Sequence, residues 1–194
     1  MILFMEPPSL GPIDTGRLYL RCPRIDDAPW LAEMMTPAIS RWLASWPAPL
    51  SQEEMTTRII RAQAALADKQ GINLIIEIKA DGVIIGWTKV TRCEGDARRG
   101  DLSYWLGEPY HGSGYGVEAA SAIMAVAFEG LDLDAIEAGA QVENLASFGV
   151  MRRLGMKPIG ERSVWVPARN RDELCLFYEA ARPRTVLAPV SNLR

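Results

Sequence analysis

The stretch DLSYWLGEPYHGSGYGVEAA, residues 101–120, contains the pattern from which the fold of this chain can be predicted. Its first six residues alternate as in a β-strand, and an alanine-rich run predicts a helix over about residues 115–130. A glycine-rich turn joins them and contains Gly112, Gly114 and Gly116. Backbone N–H groups at a helix N-terminus attract anions, and glycine lacks the Cβ atom that would keep a phosphate away. We therefore expect the turn to hold an anionic group.

The same glycines are also compatible with a nucleotide-binding loop or with a turn that only reverses the chain. A Walker-type loop is excluded, because no Gly-Lys-Ser or Gly-Lys-Thr sequence follows the glycines. The segment from Gly114 to Ala119 fits the G-x-G-x-x-A pattern of dinucleotide-binding proteins, and Glu137 lies at a suitable distance beyond it. Such a fold would begin near its fingerprint, whereas a hairpin and two helices are predicted before this one. The turn with a purely structural role stays an open alternative.

The composition of the 194 residues is typical of one globular domain, with 48% hydrophobic and 23% charged residues. A net charge of −3 argues against nucleic-acid binding through neutralisation of phosphates. The three cysteines lack the spacing of metal ligands and there is one histidine, so we expect a reduced, cytoplasmic protein without a metal. Two adjacent prolines interrupt the apolar start MILFMEPPSLGP, so we expect neither a signal peptide nor a membrane-spanning segment.

The N-terminal half of the chain predicts a strand, two helices and a hairpin. Residues 17–22 alternate as a strand, and Asp26 is the expected N-cap of the helix that follows. Ser51 and Glu54 form the capping-box pattern at the start of a longer helix. Two apolar runs flank an Asp-Gly pair, so residues 72–91 predict an antiparallel hairpin with a tight turn.

The C-terminal half predicts further strands and one more helix. The strand over residues 101–106 connects through a helix to a strand near residues 135–140, and such a crossover predicts that the two strands are parallel. A helix over residues 145–154 lies between Asn144, its expected N-cap, and Gly155. Two final strands are expected around residues 163–167 and 174–180. The expected organisation is a loose arm over residues 1–14, one domain over residues 15–182 and a tail over residues 183–194.

Three blocks of the sequence resemble the GNAT-superfamily N-acetyltransferases, especially the RimJ/RimL type. Residues 101–120 are similar to the family's E-I-G-Y-W-L-x-P-x-Y-W-G-x-G-Y-A-x-E-A, with matching or similar residues at Asp101, Tyr104, Trp105, Leu106, Tyr110, Gly112, Gly114, Tyr115, Glu118 and Ala119. The block VENLASFGVMRRLGMKPIGE, residues 142–161, is similar to the family's E-N-x-x-S, a helix, then L-G-F-x-x-x-G. The opening TGRLYLRCPRIDDAPWLAEM, residues 15–34, resembles T-x-R-L-x-L-R-x-x-x-x-x-D-A. The sequence departs from the family at His111, Ser113, Ser103 and Met156.

The resemblance implies a single α/β domain of mixed α+β type with the GNAT fold, in which helices flank a central, mixed, splayed and mostly antiparallel sheet. It also implies acetyl-CoA as the co-substrate and no metal. Backbone amides of the glycine-rich turn would hold the pyrophosphate, and the pantetheine arm would extend along the strand. The coenzyme contacts implied in this way are Tyr104, Trp105, Leu106, His111, Gly112, Ser113, Gly114, Tyr115, Gly116, Val117, Asn144 and Ser147.

The resemblance also implies the residues that carry the chemistry. Asp101 is the expected base for the acceptor amine, because family members often place an acid at this point of the strand, and a solvated strand-end residue is the alternative. Ser147 is the expected proton donor to the leaving thiolate, as proposed for RimL-like enzymes. Glu143 and Glu161 are weaker candidates for the base, and His111 is expected to act in the turn rather than in catalysis.

The predicted function is transfer of an acetyl group from acetyl-CoA to a primary amine by direct attack in a ternary complex. The alternative is a non-catalytic module that binds or senses acyl-CoA. An early helical segment with Trp30, Trp42 and Trp46 is expected beside the acceptor, although core packing is the commoner role of tryptophan. The acceptor is either a protein N-terminal α-amine or a small-molecule amine, with neither a nucleic acid nor a membrane as partner. The sequence leaves the oligomeric state open, a homodimer included.

Overall fold

The computed structural model describes residues 10–183, which form one eight-stranded sheet with five α-helices. The strands are β1 Ile13–Asp14, β2 Leu18–Arg21, β3 Gly71–Ile78, β4 Ile84–Cys93, β5 Asp96–Leu106, β6 Ala135–Gln141, β7 Lys157–Val166 and β8 Arg171–Ala181. The helices are α1 Ala28–Met34, α2 Pro37–Ser40, α3 Gln52–Ala67, α4 Tyr115–Gly130 and α5 Leu145–Arg153. Short 3-10 turns over Ile25–Asp27 and Glu108–Tyr110 precede α1 and α4.

The strands follow the order β1-β2-β3-β4-β5-β6-β8-β7, and every neighbouring pair is antiparallel except β5 and β6. The expected mixed and mostly antiparallel sheet is therefore confirmed. The hairpin predicted over residues 72–91 is confirmed as β3 and β4. The connection is longer than the tight turn predicted, because residues 79–83 lie between the two strands. Within this connection the N–H of Gly82 donates to the carbonyl of Ile78 at the end of β3.

The sheet opens between its two parallel strands. The pairing of β5 with β6 is limited to Arg99 with Ala135, Gly100 with Ile136 and Asp101 with Glu137. Beyond this point β5 stays paired with β4, and β6 stays paired with β8. The inner edges of both strands therefore separate after Asp101, which confirms the predicted splay and leaves backbone groups of both strands available to a ligand.

Two hydrophobic cores lie on opposite faces of the sheet. Helices α4 and α5 cover one face, where Leu102 and Leu106 of β5 are buried. Helices α1, α2 and α3 cover the other face, where Trp105 is buried. Because successive side chains of a strand alternate between faces, Asp101 points to the α1–α3 face and Tyr104 to the α4–α5 face. This alternation decides which side of the sheet each functional side chain can reach.

Helix starts follow the predicted caps with one correction. The side chain of Ser51 accepts from the N–H of Glu54, so the predicted capping box at the start of α3 is confirmed. The expectation of Asp26 as N-cap of α1 is wrong, since Asp27 occupies that position. Asp27 is only 5% exposed because the guanidinium of Arg21 donates to both of its carboxylate oxygens at 2.8 Å. The side chain of Asp27 makes no capping bond to α1 and instead accepts from the N–H of Arg24 at 2.7 Å.

The N-terminal segment joins the sheet earlier than expected. Ile13 and Asp14 form β1 and pair with Leu20 and Tyr19 of β2, so the last part of the arm predicted over residues 1–14 belongs to the fold. Residues 1–9 and 184–194, which contain most of that arm and most of the predicted tail, lie outside the described residues. Within residues 10–183, every helix is too short or too polar to cross a membrane.

Candidate active site

A cavity of about 620 Å³ lies where β5 and β6 separate. Tyr104 and Leu106 line it from the α4–α5 face of the sheet, whereas Asp101 and Trp105 line it from the α1–α3 face. The cavity therefore passes through the sheet and connects its two sides. A ligand in it could be held on one face and react on the other.

Most residues that the sequence analysis predicted as coenzyme contacts or as catalytic residues line this cavity. Its lining includes Asp101, Tyr104, Trp105, Leu106, His111, Gly112, Gly114, Tyr115, Gly116, Val117, Asn144 and Ser147. Ser113 lies outside the lining, and its backbone carbonyl accepts a hydrogen bond from Arg17. The ring of His111 lies with Nε2 2.9 Å from the carbonyl oxygen of Leu106, a contact that it can make only as donor. His111 thus connects the glycine-rich turn to the end of β5.

The glycine-rich turn forms an open cradle at the start of α4. Gly112 and Gly114 have φ values of +75° and +81°, which other residues rarely adopt. The first helical bond runs from the N–H of Glu118 to the carbonyl of Gly114, so the N–H groups of residues 115–117 have no partner within the helix. Gly116 has helical geometry, and a Cβ atom there would make only ordinary contacts at 3.7 and 3.8 Å. The left-handed backbone therefore requires glycine at the first two positions, and not at the third.

Arg17 holds this cradle in place, a role that the sequence did not reveal. Its Nε donates to Glu118 at 2.8 Å, its Nη1 donates to the carbonyl of Ser113 at 2.9 Å, and its guanidinium stacks 4.4 Å from the ring of Tyr115. Glu118 also accepts from the hydroxyl of Thr15 at 2.7 Å, and these bonds keep the pKa of Glu118 low despite the opposing effect of burial. Thr15 and Arg17 belong to the T-x-R-L pattern in the opening block, which was the available signal.

Asp101 is the acidic residue among those that line the cavity. It pairs with Glu137 of β6 at the last position before the strands separate. Burial is the main cause that raises the pKa of Asp101 to about 6, the nearby ammonium of Lys89 opposes the rise, and the charge of Glu137 adds to it. A carboxylate with this pKa is mostly ionised at pH 7 and yet basic enough to accept a proton from an amine.

The weaker candidates for the base are placed elsewhere. Glu143 and Glu161 are exposed and lie outside the lining of this cavity. Glu161 lines a separate polar cavity of about 430 Å³, together with Cys93 and Glu137. Within residues 10–183, His, Cys, Asp and Glu side chains form no group of three or more that could hold a metal ion.

Ser147 occupies the first turn of α5, on the α4–α5 side of the cavity. The side chain of Asn144 caps the helix by accepting from the N–H of Ser147 at 3.1 Å, which confirms Asn144 as the predicted N-cap. The hydroxyl of Tyr104 lies 3.5 Å from the backbone carbonyl of Ser147. Burial raises the pKa of Tyr104 to about 12, so this phenol stays protonated at neutral pH. Two hydroxyl groups are therefore available at this part of the wall.

The early tryptophans have different roles. Trp46 packs edge-on against Trp87 and Trp105, with ring centroids 5.7 and 5.5 Å apart, so its main role is in the core. Trp42 and Trp46 line the cavity on the α1–α3 side, whereas Trp30 is 66% exposed and lies outside the lining. Of the three early tryptophans, Trp42 and Trp46 therefore border the cavity, and Trp30 does not.

Comparison with known proteins identifies the fold and the family. Residues 17–157 match the family described as Acetyltransferase (GNAT) domain. A stretch of 67 residues is 37% identical to the uncharacterized N-acetyltransferase YnaD of Bacillus subtilis (strain 168), and it spans 34% of this chain and only 39% of YnaD. Mycobacterium smegmatis RimJ, solved in complex with CoA-disulfide, has a TM-score of 0.75 with 19% identity and covers 91% of this chain and 88% of its own.

A second solved structure shows the same fold. The ribosomal-protein-S5-alanine acetyltransferase from Vibrio fischeri has a TM-score of 0.76 with 17% identity, and the match covers 88% of this chain and 96% of that one. At these identities the structural likeness establishes the fold alone. The family match spans most of the chain and includes the cradle, Asp101 and Ser147. The chain therefore belongs to the GNAT acetyltransferase family.

Proposed function

We propose that this protein transfers an acetyl group from acetyl-CoA to a primary amine by direct attack in a ternary complex. The observation that carries the proposal is the single cavity through the opened sheet, with the start of α4 at one end and Asp101 on the opposite face. Such a passage can separate the binding of a large anionic donor from the binding of an amine. Membership of the GNAT family supports acetyl-CoA as the donor.

The residues of the cradle fit the phosphates of coenzyme A. Residues 115–117 line the cavity at the positive end of the dipole of α4, their N–H groups have no partner within the helix, and a Cβ atom at Gly112 would meet nothing within 4 Å. The backbone of β5 beyond Asp101 has no partner on the β6 side, so it can bond the amides of the pantetheine arm. When bound, acetyl-CoA supplies a reactive thioester that an amine can attack without an enzyme-bound acetyl group.

Asp101 has the position and the basicity to deprotonate the acceptor. An ammonium group cannot attack a carbonyl carbon, and at pH 7 an unperturbed lysine-like amine is neutral in only about one molecule in a few thousand. Asp101 lies on the α1–α3 face beside the passage, where it can accept the proton directly or through a water molecule. The proton given up by the amine thus stays inside the site rather than entering bulk solvent.

In this proposal Ser147 acts on the leaving thiolate. Ser147 lines the cavity on the α4–α5 side, and its N–H donates to the side chain of Asn144. As negative charge develops on the departing sulfur, the Oγ–H of Ser147 can donate a hydrogen bond or a proton to it. This interaction strengthens as the reaction proceeds, which is the requirement for lowering the barrier.

Binding and steady-state kinetics test the proposal. Acetyl-CoA should raise the unfolding temperature of the protein, whereas NAD and NADP should leave it unchanged. A panel of amines and N-terminal peptides should be acetylated with intersecting double-reciprocal plots, as a ternary complex requires. Parallel plots with an acetylated protein in the mass spectrum would contradict direct attack. Binding of acetyl-CoA without turnover of any amine would instead indicate an acyl-CoA-binding module.

A further inference from the structure

The part of the cavity on the α1–α3 face, which we call the acceptor half, has one apolar wall. Ile39 and Leu43 belong to the buried core around α2, and both line the cavity. Facing residues come from the last two strands, namely Val164, Val166, Cys175 and Phe177. Phe177 pairs with Gly139 and Cys175 pairs with Gln141, so these side chains share the face on which Asp101 lies. An apolar group of the acceptor can therefore be buried here.

Two charged side chains stand opposite this wall, Asp101 on β5 and Lys89 on β4. Lys89 pairs with Ser103, and Asp101 pairs with Thr91, so the two are diagonal neighbours on the same face. Such neighbours have backbones about 7–8 Å apart, so one small ligand can contact both side chains. The ion pairs formed within residues 10–183 do not include Lys89. The ammonium of Lys89 interacts with Asp101 over a longer distance than an ion pair, so it can still accept an anionic group of the ligand as a direct partner.

We propose that the acceptor is a free α-amino acid with an apolar side chain, an inference that rests on the proposed acetyl transfer. An α-amino acid carries its amine and its carboxylate on one carbon, so the amine can contact Asp101 while the carboxylate contacts Lys89. Its side chain then lies against the apolar wall. The charges of the site and of the acceptor are complementary in this arrangement, and Lys89 gains a direct ion pair that it does not form with the described residues.

Other amines fit the acceptor half less well. A peptide N-terminus has a neutral amide in place of the carboxylate, so it leaves Lys89 without an anion. A polyamine would bring a second positive charge close to Lys89.

The two sides of the apolar wall are also joined by hydrogen bonds. Ala168 donates its N–H to the carbonyl of Ala44 at 3.1 Å. Arg169 adds bonds from Nη1 to the carbonyls of Ser40 and Leu43 at 3.1 and 3.2 Å.

The test compares a carboxylate acceptor with its neutral amide. kcat/KM is measured for L-leucine and L-leucinamide at saturating acetyl-CoA, with the wild-type protein and with Lys89→Met, which keeps the length of the side chain and removes its charge. Loss of a charge-assisted contact should lower kcat/KM for L-leucine about tenfold or more and for L-leucinamide by less than about threefold. Lys89→Arg should retain most of the activity with L-leucine. Lys157→Met, at an exposed lysine on β7, is the matched control.

Several outcomes would overturn the inference, and they differ from failure of the proposed function. Efficient acetylation of L-leucinamide or peptides but not of apolar amino acids contradicts the inference and leaves acetyl transfer intact. Equal losses for both acceptors in Lys89→Met, with a shifted pH profile, would show that Lys89 acts only through Asp101. If no amine is acetylated, the proposed function fails. Calorimetric titration of L-leucine into the protein saturated with CoA then decides the inference, which is wrong if binding does not depend on Lys89.

Discussion

Asp101 combines burial with a place beside the passage through the sheet, and its titration should control the reaction. Below pH 6 the carboxyl is protonated and cannot accept the proton of the amine, so kcat/KM should fall as the pH is lowered through about 6. Asp101→Asn should remove this part of the pH profile and lower kcat/KM by about 10²–10⁴-fold. The loss should be larger for a lysine-like amine than for an α-amine, because the α-amine is already partly neutral near pH 7.

The control for this prediction is Glu161→Gln, which changes an exposed carboxylate outside the cavity lining. Its pH profile and the coenzyme affinity of both variants should match those of the wild-type protein. A wild-type profile in Asp101→Asn with both kinds of amine would place the base at another residue.

Ser147 should affect turnover more than binding. If its hydroxyl serves the departing sulfur, Ser147→Ala should lower kcat by about tenfold or more while the dissociation constant of acetyl-CoA changes by less than about threefold. Asn144 keeps the backbone of residue 147 in place in both proteins, so the fold of α5 should be unaffected. Equal losses in kcat and in affinity would identify Ser147 as a contact to the bound donor only.

At the scale of the element, the turn before α4 shows how a backbone can form a binding site. Gly114→Val should weaken acetyl-CoA binding by about tenfold or more, because a β-branched residue is strained at a φ of +81° and its Cβ atom would lie 3.4 Å from Nη2 of Arg17, which contacts the cradle. Gly95→Val is a matched control, since Gly95 has the same φ in the exposed β4–β5 turn. Both variants should lose similar stability by thermal unfolding, and only Gly114→Val should lose affinity in calorimetric titration. Unchanged affinity in folded Gly114→Val would contradict the cradle.

The elements that the sequence predicted well have local signals. Ser51 with Glu54, and Asn144, mark helix starts because their side chains satisfy N–H groups of the next turn. The strands β5 and β7 are longer than predicted, since they begin at Asp96 and Lys157 among exposed polar residues. There the pairing of backbones forms the strand, and no alternation of apolar residues reveals it.

For the molecule as a whole, the charge of Asp101 opposes folding. Its pKa is about 6 in the folded protein against 3.8 in the unfolded chain, so the folded state binds more protons between these values and loses stability as the pH rises from about 4 to 6. Above pH 6 the resulting loss in the free energy of unfolding is at most about 3 kcal/mol. The free energy of unfolding of Asp101→Asn should therefore exceed that of the wild-type protein by more at pH 7 than at pH 4. Parallel pH dependences of the two proteins in denaturant titrations would contradict this.

The candidate site depends on contacts between distant parts of the chain, which limited its prediction. Asp101 and Ser147 could be selected from short blocks that resemble a family. The position of Lys89 diagonally beside Asp101 follows from the register of β4 and β5, and the contact of Arg17 with Glu118 spans 101 positions. Arg17 and Glu118 lie in two separate blocks that resemble the family, but neither pairing can be read from the sequence, because register and side-chain direction are set by the assembled sheet.

The contact of Arg17 with Glu118 has a practical consequence for handling the protein. It couples the docking of the first two strands to the shape of the cradle, and thermodynamic coupling of this kind acts in both directions. Proteolytic trimming, or a bulky fusion that disturbs the chain just before Leu18, should lower the affinity for the donor although the cavity lies elsewhere. Conversely, saturation with CoA should protect the N-terminal strands from proteases, so an affinity tag is better attached at the C-terminus.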